Sequence, residues 1–361
     1  MTATVDRLDL LLERRTAAGE RYFAAEADRL ACLCLVLAER FERGGRLLAI
    51  GGSPQAWSDA HHVAVEFVHP VIVGKRALPA LAVAPESLGL LAREGDIVVS
   101  FEPLTVEAGE TWHLEPDDDD PFVRQELAET AYHILWELVH VFFEHLGGSS
   151  AGAGASGFLY PFLEQRSSSL EAVVEDVRAS VMMKAEEVSA LRTLTVAGGR
   201  VPLGEAAAEL RRCFETGGTL FAFGNGGSAT DAMDVVADFR ASPQGWPPRR
   251  ALDLTDDPAI LTALANDIGP GALYSRQLIA LGRPGDVALA LSTSGGSANI
   301  VEALVEARRR GLATIAFVGY GGGRIAAERL ADHVVVTPSE HVPRIQEAQA
   351  SAYHALRELV G

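Results

Sequence analysis

From residue 5 to residue 43 apolar positions recur at helical spacing with charges between them, which predicts one long amphipathic helix. A short apolar strand, Arg46–Ile50, follows Gly44-Gly45. Beyond Gly51-Gly52-Ser53 the spacing predicts a helix from about Asp59 to Val68. Leu78–Val83 and Asp96–Phe101 read as buried strands, Thr111–Leu114 as one more, and about Phe122 to His145 as a helix. Residues 147–157, GGSSAGAGASG, have no apolar periodicity and read as a flexible boundary. The pattern then restarts with helices near Leu163–Thr195 and Leu203–Thr216. Strands follow at Thr219–Phe223, Arg250–Leu254, Val287–Leu291, Thr314–Val318 and His333–Val336. Helices centred on Asp231–Phe239, Pro258–Ala265, Ala298–Arg310 and Arg324–Leu330 lie between them, and Arg344–Val360 closes the chain. Short apolar strands alternating with helices predict the α/β class, a parallel sheet covered on both faces.

The 361 residues are long for one domain and comfortable for two, and 48% hydrophobic residues supply sizeable cores. The expected division is residues 1–146, a linker at 147–160, and residues 161–361. A net charge of -18 opposes nucleic acid and anionic membrane as partners. It also requires that any anionic substrate be held by local dipoles. Cys32, Cys34 and Cys213 read as reduced, buried and inert. With no signal-like start and no run long enough for a membrane span, a reducing cytoplasm is the expected location. Asp117 to Asp120 are read as a solvated loop capping the next helix and not as a calcium loop, which needs a Gly turn and alternating ligands.

Two strand ends carry candidate chemistry, and ligands of such sheets sit beyond the strand C-termini. Gly224-Asn225-Gly226-Gly227-Ser228 follows one strand and Ser292-Thr293-Ser294-Gly295-Gly296-Ser297 another, each opening a helix. Hydroxyls and free N–H groups at two helix starts form an anion cradle without Lys or Arg, suited to a phosphate monoester. Neither run is a Rossmann or Walker fingerprint, so no nucleotide cofactor is expected. A second pattern occurs twice. His62 and Glu66 precede Gln125 and His133, and Asp234 and Asp238 precede Gln346 and His354, each as a pair four apart followed by a Gln–His pair eight apart. The match points to an internal duplication. Residues four apart share a helix face, and eight residues make about 2.2 turns, so two helices can present four ligands around one point. His62, Glu66, Gln125 and His133 form an acceptable set for zinc or a related divalent ion, or else a polar cluster satisfying its own hydrogen bonds. Asp234, Asp238, Gln346 and His354 are the alternative set.

The segments GNGGSATDAM, ALANDIG, YSRQLIALGRPGDVALALSTSGGSAN and RIQEAQASAYHALRELV resemble the sugar isomerase (SIS) superfamily, and within it the bacterial sedoheptulose 7-phosphate isomerases. The resemblance covers about residues 172–361, and a weaker one, through DAHHVAVEF, about 20–145. It implies two αβα sandwich domains with parallel sheets, the N-terminal copy reduced, and a chain that dimerises into a pseudo-tetramer. It implies that Ser228, Ser292, Thr293, Ser294 and Ser297 hold the substrate phosphate and that Asn225, Asp267 and Gln346 line the sugar site. It assigns acid–base roles to Glu66, His133, Asp238 and His354. The C-terminal half departs from the family with Asp at positions 234 and 238 where His and Glu are usual, and Pro343 where Asp is usual. The N-terminal half keeps the family's residue types at His62, Glu66, Gln125 and His133 but has Ser100-Phe101-Glu102-Pro103 in place of the serine run, and the helix after it reads as deleted. One half thus keeps the cradle and the other the proton-transfer quartet, which raises the expectation of composite sites.

The implied reaction is aldose–ketose isomerisation of a phosphosugar, first of all sedoheptulose 7-phosphate, through an enediolate. It needs a base, an electrophile and an acid. The other reading is a phosphosugar-binding or regulatory protein of the same fold without turnover.

Overall fold

A computed structural model of the chain describes residues 2–70, 75–103, 110–146 and 170–361. The expected linker falls outside the described residues. The chain forms two compact units, one of Ala17–Asp119 with Val123–Glu187, the other of Met1–Thr16 with Asp120–Phe122 and Val188–Gly361. The long first helix, α1 (Thr2–Glu42), contributes residues to both.

In the first unit four parallel strands, β1 (Leu47–Ile50), β2 (Ala80–Val83), β3 (Ile97–Ser100) and β4 (Glu110–His113), lie in the order β2-β1-β3-β4. Side chains alternate across each strand. Leu47, Ala49, Ile97 and Val99 enter a large core with Leu30, Leu37, Phe67 and Trp136. Leu48, Ile50 and Val98 face the other way, onto Val83 and Leu88. Helix α2 (Pro54–Val68) begins five residues before the expected start. Ser53 accepts the Ala56 N–H through its side chain and Pro54 occupies the first turn, where a missing N–H costs nothing. After a short α3 (Leu88–Leu91), α4 (Pro121–Leu146) opens as expected on an acidic residue, Asp120 accepting the Phe122 N–H at 3.0 Å.

Helix α5 (Leu170–Gly198) contributes residues to both units, and in the second unit α6 (Arg200–Glu215) precedes β5 (Leu220–Phe223). β6 (Ala251–Asp253), β7 (Val287–Ser292), β8 (Ala313–Val318) and β9 (His333–Val336) complete a parallel sheet of order β6-β5-β7-β8-β9. Its first four strands repeat the order of the smaller sheet. Leu220, Ala222, Leu289 and Leu291 enter one core and Phe221, Phe223, Ala288 and Ala290 the other, so the sheet is buried on both faces. The intervening helices are α7 (Gly227–Arg240), α8 (Pro258–Asp267), α9 (Ser275–Leu281), α10 (Ala298–Arg309) and α11 (Gly323–Ala327). The helix expected to run to Leu330 stops at Ala327, and Arg329 takes a positive φ of 54°. Helix α12 (Val342–Val360) is buried from Pro343 to Val360, polar residues included.

Cys34 and Cys213 are buried and free, and burial raises both thiols, Cys213 to about 11. Cys32 departs from the expectation. It is exposed, because it lies on the outward face of α1 while Cys34 faces the core. No described helix is long and apolar enough to cross a membrane.

Candidate functional site

Strands β5 and β7 are parallel neighbours with Phe223 beside Ala290, so the turns that follow them emerge side by side. In the first turn Gly224 lies where a Cβ would stand 2.1 Å from the Ser228 carbonyl oxygen, and Gly226 has a φ of +59°. Only glycine fits the first position, and the second is a left-handed conformation that favours it. In the second turn Gly295 has a φ of +60°, and a Cβ there would meet the Gly322 carbonyl oxygen at 2.4 Å. The Ser292 and Ser294 hydroxyls accept the Gly295 and Gly296 N–H groups at 3.2 and 3.3 Å. Ser297 starts α10 without a side-chain cap bond. Ser228 and Ser292 are buried, Thr293 and Ser297 half-buried, and Ser294 exposed.

Reciprocal amide bonds join the two turns, Asn225 Nδ2 to Asn299 Oδ1 at 3.0 Å and Asn299 Nδ2 to Asn225 Oδ1 at 2.8 Å. Tyr274 donates its hydroxyl to the Gly224 carbonyl and lies 3.2 Å from Asn225 Oδ1. Burial raises Asp253, at the end of β6, to about 6, against two hydrogen bonds from Thr255. Asp267 lies exposed at the end of α8 and accepts from Asn266. Asn299, Tyr274 and Asp253 were not singled out from the sequence. Asn299, two positions after Ser297 at the opening of the same helix, was the one whose place gave a signal.

On α7 and α12 of the same unit, Asp238 Oδ2 lies 3.3 Å from His354 Nε2, both fully buried. Phe122 stacks on the His354 ring with centroids 4.6 Å apart and planes 16° apart. Asp234 takes the Tyr353 hydroxyl at 3.2 Å, so the two carboxylates of the helix face have different partners. Arg357 donates to the Asp238 carbonyl oxygen at 3.0 Å with its guanidinium over Phe239 and Trp246. Burial lowers this arginine to about 10. Gln346 is buried on α12. Its neighbour Ile345 packs close to Gly319, which also bonds the Thr293 carbonyl, so the start of α12 is anchored to the serine turn.

In the first unit His62 Nε2 and His133 Nε2 are 3.3 Å apart and Glu66 Oε1 is 4.0 Å from His62 Nε2. All three are buried, and their ligand atoms lie within 4.8 Å of one another. Burial first, and the second imidazole next, push His62 well below its usual value, so it is neutral. Two bare nitrogen lone pairs repel at such a distance. One ring donates a proton to the other, or a cation lies between them. Two neutral imidazoles and a carboxylate fit a zinc-type ion. Gln125, the fourth residue of the expected set, is buried on α4 two turns before His133.

The N-terminal counterpart of the cradle is filled. Both carboxylate oxygens of Glu102 lie 3.2 Å from the Ser53 N–H, and Glu102 Oε1 also accepts the Gly52 N–H. The Ser100 hydroxyl donates to the Glu102 carbonyl at 2.6 Å and steadies the turn. Gly51 repeats the backbone approach of Gly224, with a Cβ position 2.2 Å from the Ala56 carbonyl oxygen. Glu102 stands in the SFEP run that replaces the serines, but its inward direction is not visible in the sequence.

Residues 185–319 match the SIS domain family. A phosphoheptose isomerase from Roseiflexus sp. (strain RS-1) is 38% identical over 195 residues, 52% of this chain and 91% of that protein. One from Desulfovibrio desulfuricans is 41% identical over 176 residues, 48% and 83% respectively. Among solved structures, the C-terminal domain of glucosamine-fructose-6-phosphate aminotransferase from Francisella tularensis is similar over 97% of this chain and 95% of that one, with a TM-score of 0.57. At 11% identity that likeness bears on the fold alone.

Proposed function

The chain belongs to the SIS domain family, and from that premise we propose that it is a phosphosugar isomerase, with sedoheptulose 7-phosphate as its first candidate substrate. The observation that carries this reading is the pair of adjacent turns after β5 and β7, tied by the Asn225–Asn299 amides and rich in N–H groups and hydroxyls. Ser228, Ser292, Thr293, Ser294 and Ser297 would hold the phosphate, with Asn225, Asp267 and Gln346 toward the sugar. Helix-start dipoles and hydrogen bonds suit a dianion on a protein whose overall charge repels it.

Within the C-terminal unit Asp238 and His354 are the pair able to move a proton. The carboxylate would take it from the carbon beside the carbonyl as the imidazole protonates the carbonyl oxygen, giving an enediol. The carboxylic acid would return the proton to the former carbonyl carbon as the imidazole takes the proton of the neighbouring hydroxyl. His62, Glu66 and His133, with Gln125 on the same helix as His133, would hold a divalent ion such as zinc. When bound, such an ion supplies Lewis-acid stabilisation of an oxyanion. The shared strand order of the two sheets supports a common origin for the two halves.

A non-catalytic phosphosugar-binding protein is the second reading. The burial of His354 beneath Phe122 favours it, as does an aspartate one methylene shorter than the family's glutamate. Calorimetry together with an isomerisation assay on sedoheptulose 7-phosphate separates the two. Binding with turnover supports the isomerase, binding alone the second reading, and no binding sinks both.

A further inference from the structure

The two halves carry related strand-end turns, and in the N-terminal one a carboxylate of the chain itself meets the helix-start N–H groups. Ile50 pairs with Ser100 in the first sheet, and Phe223 pairs with Ala290 in the second. Two residues beyond each lie Glu102 and Ser292, so by register Glu102 stands where the other half has the first cradle serine. The Glu102 carboxylate reaches the Gly52 and Ser53 N–H groups at the start of α2, a 15-residue helix. Those are the groups that a phosphate oxygen would engage. A Cβ on Gly52 would come within 2.9 Å of Glu102 Oε1, so the glycine leaves room for the carboxylate.

We infer that the N-terminal half contains a second cradle for a phosphate monoester, held closed by its own Glu102, so that the chain takes one phosphate at its C-terminal turns and none at its N-terminal turn. This rests on the reading of the C-terminal turns as a phosphate cradle. Two effects favour the tethered group. A side chain two residues from β3's end is present at about millimolar effective concentration or more at its own N–H partners. It also brings a single negative charge, whereas a free dianion must approach a protein of net charge -18. The C-terminal turn has serine at the equivalent place, and the Ser292 hydroxyl turns to the Gly295 N–H instead of closing the neighbouring turn.

The test counts sites on the full-length chain by equilibrium dialysis with radiolabelled inorganic phosphate, for wild type, Glu102→Ser and Glu102→Ala. One site in wild type and two in both variants is the expected result. One site throughout overturns the inference and leaves the C-terminal reading intact, as do two sites in wild type. No site in wild type and one in the variants keeps the cradle closed by Glu102 but sinks the C-terminal reading and with it the one-phosphate stoichiometry, and none anywhere sinks both. A measurement on the unaltered chain guards against variants that fail to fold. Phosphate should shift the amide NMR resonances of Gly226–Ser228 and Gly295–Ser297 and leave those of Gly52 and Ser53 in place. Movement of Gly52 and Ser53 overturns the inference.

Discussion

The two sheets share their first four strands in order and direction, and the turn after the first strand of each needs a glycine for the same close backbone approach. The contents differ in opposite senses. The C-terminal unit has hydroxyl-lined turns and a buried Asp238–His354 pair under an aromatic ring. The N-terminal unit has a turn filled by Glu102 and a compact trio of His62, Glu66 and His133 with metal-binding composition. A strand-to-helix turn is therefore a neutral frame. At matching register the N-terminal half places Glu102 on its helix-start N–H groups, and the C-terminal half places Ser292, whose hydroxyl accepts the Gly295 N–H.

The sharpest way to break this comparison is to remove each carboxylate in turn. Asp238→Asn should lower kcat for phosphosugar isomerisation by roughly 10²–10⁴-fold, the usual worth of a general acid–base group. Glu66→Gln should leave at least about a tenth of the turnover, on the same scale. The reverse order in a steady-state assay would transfer the chemistry to the N-terminal trio. His62→Ala should weaken zinc binding by on the order of a hundredfold, at least what loss of an outer partner costs. Competition with a chromophoric chelator measures this, and unchanged affinity would reduce the trio to a hydrogen-bonded cluster.

Smaller effects probe the frame itself. Gly224→Ala and Gly51→Ala each set a Cβ against backbone and should cost about 1–3 kcal/mol by urea denaturation. Gly52→Ala meets only the end of the Glu102 side chain and should stay within about 0.5 kcal/mol, as most such surface changes do. Equal losses at Gly51 and Gly52 would mean that the carboxylate is fixed as firmly as the backbone.

The gentlest contrast is with pH. Burial lowers His140 in the N-terminal unit to about 4 and lowers His62 as well. The unfolded chain takes up these protons first, so stability falls as pH drops from about 6.5 toward 4, by roughly 3 kcal/mol for His140. Asp253 in the C-terminal unit is raised to about 6, so its contribution is present below about pH 4 and lost as pH rises through about 6. Urea midpoints between pH 4 and 7 should flatten in His140→Gln and steepen in Asp253→Asn. Identical profiles would contradict the burial of both groups.

Much of this was legible in the chain. The strands at Leu47–Ile50 and Leu220–Phe223 are short, fully apolar and followed directly by glycine, and Val287–Ser292 is apolar but for its last residue, and a buried parallel strand leaves little else to choose. The cradle turns were visible because their hydroxyls and glycines are contiguous. The four-residue spacing of His62 and Glu66 placed both on one helix face. The start of α2 at Pro54 was missed because its cap, Ser53, lies inside a glycine-rich run that reads as a loop. The partners of the site residues were not legible, since Phe122 over His354 and Tyr353 at Asp234 involve no sequence spacing.

What the sequence determined by itself is the class of fold, the strand-end turns and the residue types available for chemistry, because these follow from periodicity, glycine sterics and contiguous side chains. Tertiary structure alone decided which groups meet. It aimed the Glu102 carboxylate into one turn, brought His62 and His133 to 3.3 Å, and joined Asn225 to Asn299. Contacts of 49 to 74 residues' separation are set by register and packing, and no local pattern encodes the direction in which a side chain finally points.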